Sequence, residues 1–223
     1  MKFFTKKRIV LFLLFIFPLI CFLILSTGEN NFTKLPIVTP NIIDVSEIDA
    51  NKQVQLKDHI SIICFLGNDV NANKSGLFNL NEKVYKKFTD YKKFQVLAIY
   101  PKEQEAEAQK LKKEIGAFTD MQKWKFIPSS KEEIEGFYQS FSYNEPLVNL
   151  GSSKAFLVDK YVNLRGRLKD EDAKNGKLYG YNMNSVSVLN GKLKDDVKVL
   201  YYEYYAAFKD RNKNKADRKE VGL

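Results

Sequence analysis

ISIICFLGNDVNANKSG, residues 60–76, joins an apolar run from Ile60 to Leu66, a polar loop, and the first turn of an amphipathic segment. A short apolar run bounded by turn formers reads as a strand buried on both faces, and the loop after such a strand is where an α/β sheet places its chemistry. This loop has no Cys, no His and no Gly-rich phosphate cradle. Beyond it, Leu77, Leu80, Val84, Phe88 and Tyr91 recur at helical spacing opposite lysines, which predicts a helix packed on the sheet. Gln95–Tyr100 predicts a second strand. Lys102–Phe118 predicts a second helix that buries Ala108, Leu111, Ile115 and Phe118. Strand, helix, strand, helix makes the two strands parallel with a right-handed crossover.

The outer segments are read the same way. Asn41–Val45 and Gln53–Leu56 alternate and are joined by a turn-like Asp49-Ala50-Asn51, predicting a peripheral hairpin. Trp124–Ile127 is a short strand ending at Pro128. Ser129 and Ser130 are both placed to cap the following helix, with Glu132 and Glu133 at the reciprocal positions and Ile134, Phe137, Tyr138 and Phe141 on its apolar face. Ala155–Val158 and Val162–Leu168 predict an antiparallel hairpin around Asp159-Lys160-Tyr161. Leu193, Val197, Leu200, Tyr204 and Phe208 mark a closing helix, and the charged tail from Arg211 is expected to fray. The whole is the element order of a thioredoxin-like α/β fold, with the extra strand and helix of its peroxiredoxin-type and Sco-type branches.

Composition bounds the setting. The 223 residues suit one domain with appendages, and the net charge of +9 comes from 36 Lys+Arg against 27 Asp+Glu. Lys2, Lys6, Lys7 and Arg8 at one end and the 209–220 stretch at the other hold most of that excess, so the body is nearly neutral and a nucleic-acid partner is not expected. The apolar run Ile9–Leu25 behind the N-terminal cations predicts an uncleaved transmembrane helix, its N-terminus cytoplasmic and the rest extracytoplasmic, periplasmic in a bacterium. The expected organisation is a basic segment (1–8), a transmembrane helix (9–25), a linker (26–40), the domain (41–210) and a charged tail (211–223).

The sequence offers little catalytic equipment. Cys21 lies in the apolar run and Cys64 in the central strand, so no internal disulfide is expected. His59 has no activated Ser or Cys at a recognisable spacing and is read as structural or exposed. Capping already explains Ser129 and Ser130. Asp170-Glu171-Asp172 opens like a calcium loop, but Lys174 and Tyr181 stand where ligands belong. Tyr201, Tyr202, Tyr204 and Tyr205 read as core plus amphipathic surface. No Walker or dinucleotide fingerprint is present.

Leu56-Lys57-Asp58-His59 leading into Ser61–Phe65, Lys123–Ile127 with Ser129–Ile134, and Phe156–Asp159 with Arg165-Gly166-Arg167 resemble the Sco/SenC proteins over roughly residues 41–208. Those are single-pass, thioredoxin-like proteins that help deliver copper to cytochrome c oxidase. Their metal and redox site is a C-x-x-x-C loop after the first core strand plus a His shortly before the hairpin. By that resemblance the thiol positions fall on Val70 and Lys74 and the His position near Gly151. None of the three can ligate a soft metal, and dithiol exchange needs two sulfurs. The expectation is a non-catalytic scaffold without metal, cofactor or small-molecule substrate, which works by protein contact, with respiratory oxidase subunits as the candidate partner. The loop residues Asn68, Asp69, Asn71, Asn73 and Lys74 form its candidate surface. The alternative is a single-cysteine thiol reductase or peroxidase using Cys64.

Overall fold

The structure is a computed structural model that describes residues 6–26, 34–50, 52–171, 173 and 176–220, except for the side chains of 8, 9, 25, 26 and 208–220. The chain forms two compact units, Met1–Thr33 and Lys34–Leu223. The first contains one helix, α1 (Lys6–Ser26), with Pro18 inside it and apolar side chains exposed from Val10 to Ile24. Among the described residues no helix is long and apolar enough to cross a membrane.

The second unit holds, in chain order, β1 (Ile37–Thr39), β2 (Ile60–Leu66), α2 (Lys74–Lys83), β3 (Phe94–Pro101), α3 (Glu105–Gly116), β4 (Trp124–Ser129), α4 (Lys131–Gln139), β5 (Gly151–Val158), β6 (Leu164–Arg165), β7 (Tyr181–Asn182), α5 (Val186–Val188) and α6 (Lys194–Glu220). A π-helical turn, Leu189–Leu193, joins α5 to α6. The sheet runs β1-β6-β5-β2-β3-β4, with β7 also paired to β5. The β2–β3 and β3–β4 pairs are parallel and β2–β5 is antiparallel, as the strand-helix order requires. Pro128 sits in β4 at the sheet edge, where the missing N–H costs no ladder bond.

All seven residues of β2 are buried because both faces of the sheet are covered. Ile60, Ile62, Cys64 and Leu66 face one cluster, which takes in Leu77 and Leu80 of α2, Leu111 of α3 and Val197 of α6. Ile63 and Phe65 face the other, with Ile134 and Phe137 of α4 and Val45 and Leu56 from the segment before β2. Phe65 is ringed by Phe137, Tyr138, Phe141 and Phe156 at centroid distances of 5.2–6.1 Å. The period-two division of a continuous apolar run between two cores is what fixes β2 at the centre.

Several expectations are corrected. Residues 41–56 form no hairpin. Asp44 caps a 3₁₀ turn (Val45–Glu47), and its carboxylate accepts the N–H groups of Ser46, Leu56 and Lys57, while Asp49 accepts those of Gln53 and Val54. Two carboxylates do the work of a partner strand. The sheet also starts earlier than residue 41, since Ile37–Thr39 pairs with β6. Helix α2 ends at Lys83 and gives way to a 3₁₀ turn (Tyr85–Lys87), which leaves Tyr91 40% exposed rather than buried. Phe118 lies beyond the end of α3 and is 68% exposed. The strand expected over 162–168 shrinks to Leu164–Arg165, and helix continues through 211–220, where fraying was expected.

Buried charge ties the ends of this unit together. The Arg165 guanidinium donates to Asp159 at 2.8 Å, to Glu203 of α6 at 2.7 Å and to the Leu35 carbonyl, while the Leu35 N–H donates to Glu203 at 2.5 Å. Burial opposes the charge on Arg165, but Glu203 and Asp159 outweigh it and hold its pKa above the usual value.

Candidate functional site

The β2 strand ends at Gly67, whose φ of 76° turns the chain out of the sheet. Asp69 then caps a 3₁₀ turn (Val70–Asn73), its Oδ1 accepting the Asn71 N–H at 3.0 Å, and α2 follows directly. Opposite lies a tight hairpin in which Val148 and Gly151 exchange backbone hydrogen bonds of 2.9 and 2.8 Å. Its corner residues, Asn149 and Leu150, have φ values of 49° and 63°. Positive φ at both corners is the geometry of a type I′ turn, which ordinarily takes Gly at the second position. Leu150 is held there because its side chain is buried in the core beside α4, and the turn presents Val148 to solvent at 74% exposure.

Between loop and hairpin is a cleft of about 390 Å³, lined by Asp69, Asn73, Glu145, Gly151, Ser153 and Lys154 among others. Asn68 donates its backbone N–H to Asn149 at 2.8 Å and lines an adjoining hollow with Tyr138 and Asn144. Lys154 pairs with Glu145 at 2.6 Å and also contacts the Tyr143 hydroxyl. Burial pushes the Tyr143 phenol up from its ordinary value, and Glu145 adds to the shift.

The candidate loop residues do not act together. Asn68, Asp69 and Asn71 are exposed and Asn73 reaches toward the Leu66 carbonyl at 3.5 Å, so these four share the rim. Lys74 turns away to Glu114 of α3, at 2.5 Å. Val70 is buried in the core with α2 and α3. Gly151 pairs with Leu66 in the sheet, and a Cβ on it would stand 3.1 Å from the Leu66 oxygen and 3.2 Å from the Gly67 Cα.

The three positions to which the resemblance assigns copper ligands are therefore a core aliphatic, an ion-paired ammonium and a glycine against backbone. These residues do not fit Cu(I) or a dithiol, because neither a soft donor nor an exchangeable sulfur faces the cleft. Among the described residues no cluster of three or more His, Cys, Asp or Glu is arranged to hold a metal ion. Cys64 points into the core from mid-strand, fully buried, and burial pushes its thiol well above the ordinary value. His59 is half-buried with Nδ1 3.0 Å from the Lys57 carbonyl. Ser130 caps α4 in a reciprocal capping box with Glu133, whereas Ser129 is buried in β4 and donates to the Ile48 carbonyl. Apart from Gly151, the far wall of the cleft, residues 145–154, escaped sequence reasoning. Its one signal was Pro146 within a polar run.

Comparison with solved structures places this architecture. The chain is similar to BsSco, described as a member of the Sco family of cytochrome c oxidase assembly proteins, with 12% identity, a TM-score of 0.50, and coverage of 75% of this chain and 98% of that one. It also matches apo Sco1 from Thermus thermophilus (15% identity, TM-score 0.47, 77% and 100% coverage) and a putative protein disulfide isomerase from Bacteroides thetaiotaomicron (10%, 0.47, 78% and 99%). No family model matches the sequence, and no curated protein does. The class is thioredoxin-like α/β, a central sheet flanked by helices. BsSco shares that fold with this chain.

Proposed function

We propose that this chain is a membrane-anchored, extracytoplasmic Sco-like protein that works by protein contact rather than by copper or thiol chemistry. The observation that carries the reading is the fate of the three vacated positions: Val70 packs the core, Lys74 binds Glu114, and Gly151 lies against the β2 backbone. The end of the sheet is thereby built as a fixed surface, with Asn68, Asp69 and Asn71 on one side and exposed Val148 on the other. A rigid rim with one apolar projection suits a protein partner, since little ordering is lost on binding. Respiratory oxidase subunits are the candidate partner, because BsSco belongs to a family of oxidase assembly proteins. The anchor rests on the apolar run 9–25 behind Lys2, Lys6, Lys7 and Arg8.

Titration of the full chain in detergent with Cu(I) tests the absence of a metal site. The expected result is no stoichiometric binding in competition with a chelator. Tight one-to-one binding lost on Cys64→Ala would overturn the reading. Capture of partners from solubilised membranes tests its other half: oxidase subunits recovered by the native chain should be lost with Val148→Asp and Asp69→Lys, and recovery that these substitutions leave unchanged would dismiss the rim as the contact.

A further inference from the structure

On the opposite side of the sheet from α4, a groove of about 660 Å³ runs between the 3₁₀ turn Tyr85–Lys87 and α6. Its floor is aromatic. The Tyr91 and Tyr201 rings lie 4.1 Å apart by centroid, and Phe88 is nearly parallel to Tyr201 at 13°. Its rim is exposed: Tyr91 by 40%, Tyr202 by 54% and Tyr205 by 68%. Lys87, Lys194 and Lys198 flank these rings; Lys198 pairs with Asp195 at 3.1 Å and Lys194 donates to the Asn190 side chain at 2.7 Å. The buried Tyr201 hydroxyl has no hydrogen-bond partner among the described residues.

We infer that this face of α6 is seated on the anionic phospholipid surface of the membrane that holds the chain, an inference that rests on the anchored reading above. Phenols with an apolar ring and a polar tip settle at the headgroup level, and lysines bury their stems while their ammonium groups reach lipid phosphates. Three exposed tyrosines between three lysines present that combination over one open face. In the sequence only seven residues separate α1 from the second unit, so a bilayer that holds the first is at high effective concentration for the second, and a weak surface contact then suffices. The sequence of α6 continues past the groove with Lys209, Arg211, Lys213, Lys215, Arg218 and Lys219.

The test uses the full chain with Cys21→Ser, reconstituted in lipid nanodiscs of phosphatidylcholine with or without phosphatidylglycerol. One nitroxide is attached at Tyr205→Cys and, in a separate preparation, one at Leu13→Cys. In the anionic discs the Tyr205 label should lose at least about three-fold of its collision rate with a water-soluble nickel chelate, and high salt should restore access. Charge reversal by K87E/K194E/K198E should restore it as well, while K110E/K113E on α3 should not. If the Tyr205 label stays as water-accessible in anionic discs as in neutral ones while the Leu13 label is shielded, the lipid-facing assignment is overturned and the anchor stands. If the Leu13 label itself meets the chelate freely, the anchor is wrong and the lipid-facing assignment falls with it.

Discussion

Cys64 shows how burial decides the meaning of a reactive residue type. Its side chain lies mid-strand, flanked in the core by Ile62 and Leu66, and burial raises the thiol pKa above its ordinary 9.0. In a Cys21→Ser background, iodoacetamide should leave the folded protein unmodified at neutral pH and label Cys64 only at the rate of unfolding. Rapid labelling of the native state would restore the single-cysteine enzyme as a reading. The same shift has a sign. A group whose pKa is raised in the folded state contributes stability that is complete below the unfolded pKa and is eroded above it. Denaturant titrations should therefore show the native chain losing stability relative to Cys64→Val as pH rises past about 9. The pattern of sequence alone did indicate this burial, since a Cys inside an apolar run flanked by Ile63 and Phe65 leaves no path to solvent.

At the scale of elements, what was legible depended on whether side chains or backbone carried the instruction. β2, β3 and α4 were readable because apolar period and capping chemistry agree, and Ser130 with Glu133 forms the capping box that its spacing predicts. The 41–56 segment misled because Asp44 and Asp49 satisfy backbone N–H groups that a second strand would otherwise take. The far wall of the cleft was illegible because Leu150 occupies a left-handed corner that the sequence would assign to Gly or Asn, and only the tertiary core compensates it. Strands as short as β6 and β7 carry no period at all. The cap offers a test. Ser130→Ala should cost about 1 kcal/mol by denaturant unfolding. Glu133 titrates below its ordinary 4.5, chiefly because the Ser130 backbone N–H donates to it, so its contribution is present above that pH and fades as pH falls through the lowered value. Glu133→Gln should consequently be less stable than the native chain at pH 7 and converge with it in acid.

For the second unit as a whole, stability is concentrated where its first and last elements meet. Arg165 joins Asp159, Glu203 and Leu35 in a site from which water is largely excluded, with side-chain exposures of 8% or less for the three charged groups. Removing the cation alone strands two buried carboxylates, so Arg165→Ala should cost about 3–5 kcal/mol. For a unit of this size that corresponds to a fall in Tm on the order of 10 °C by calorimetry. The triple replacement of Arg165 by Met, Asp159 by Asn and Glu203 by Leu should lose less than the single one, and a larger loss would mean that the network, not its balance of charge, holds α6 in place.

The crossing of Gly67 over the β5 end, finally, leaves no room for a side chain at Gly67 or Gly151. A Cβ at Gly67 would lie 2.7 Å from both the Asn149 oxygen and the Gly151 nitrogen, and Gly151 is pressed in turn against Leu66. Grafting imidazole at 151 would have to push apart two strands hydrogen-bonded at the heart of the sheet, and sulfur at 70 would face oil instead of solvent. No single substitution at 70 or 151 therefore brings a donor into the cleft, and only the exposed rim at Asn68, Asp69, Asn71 and Val148 has room for a different side chain.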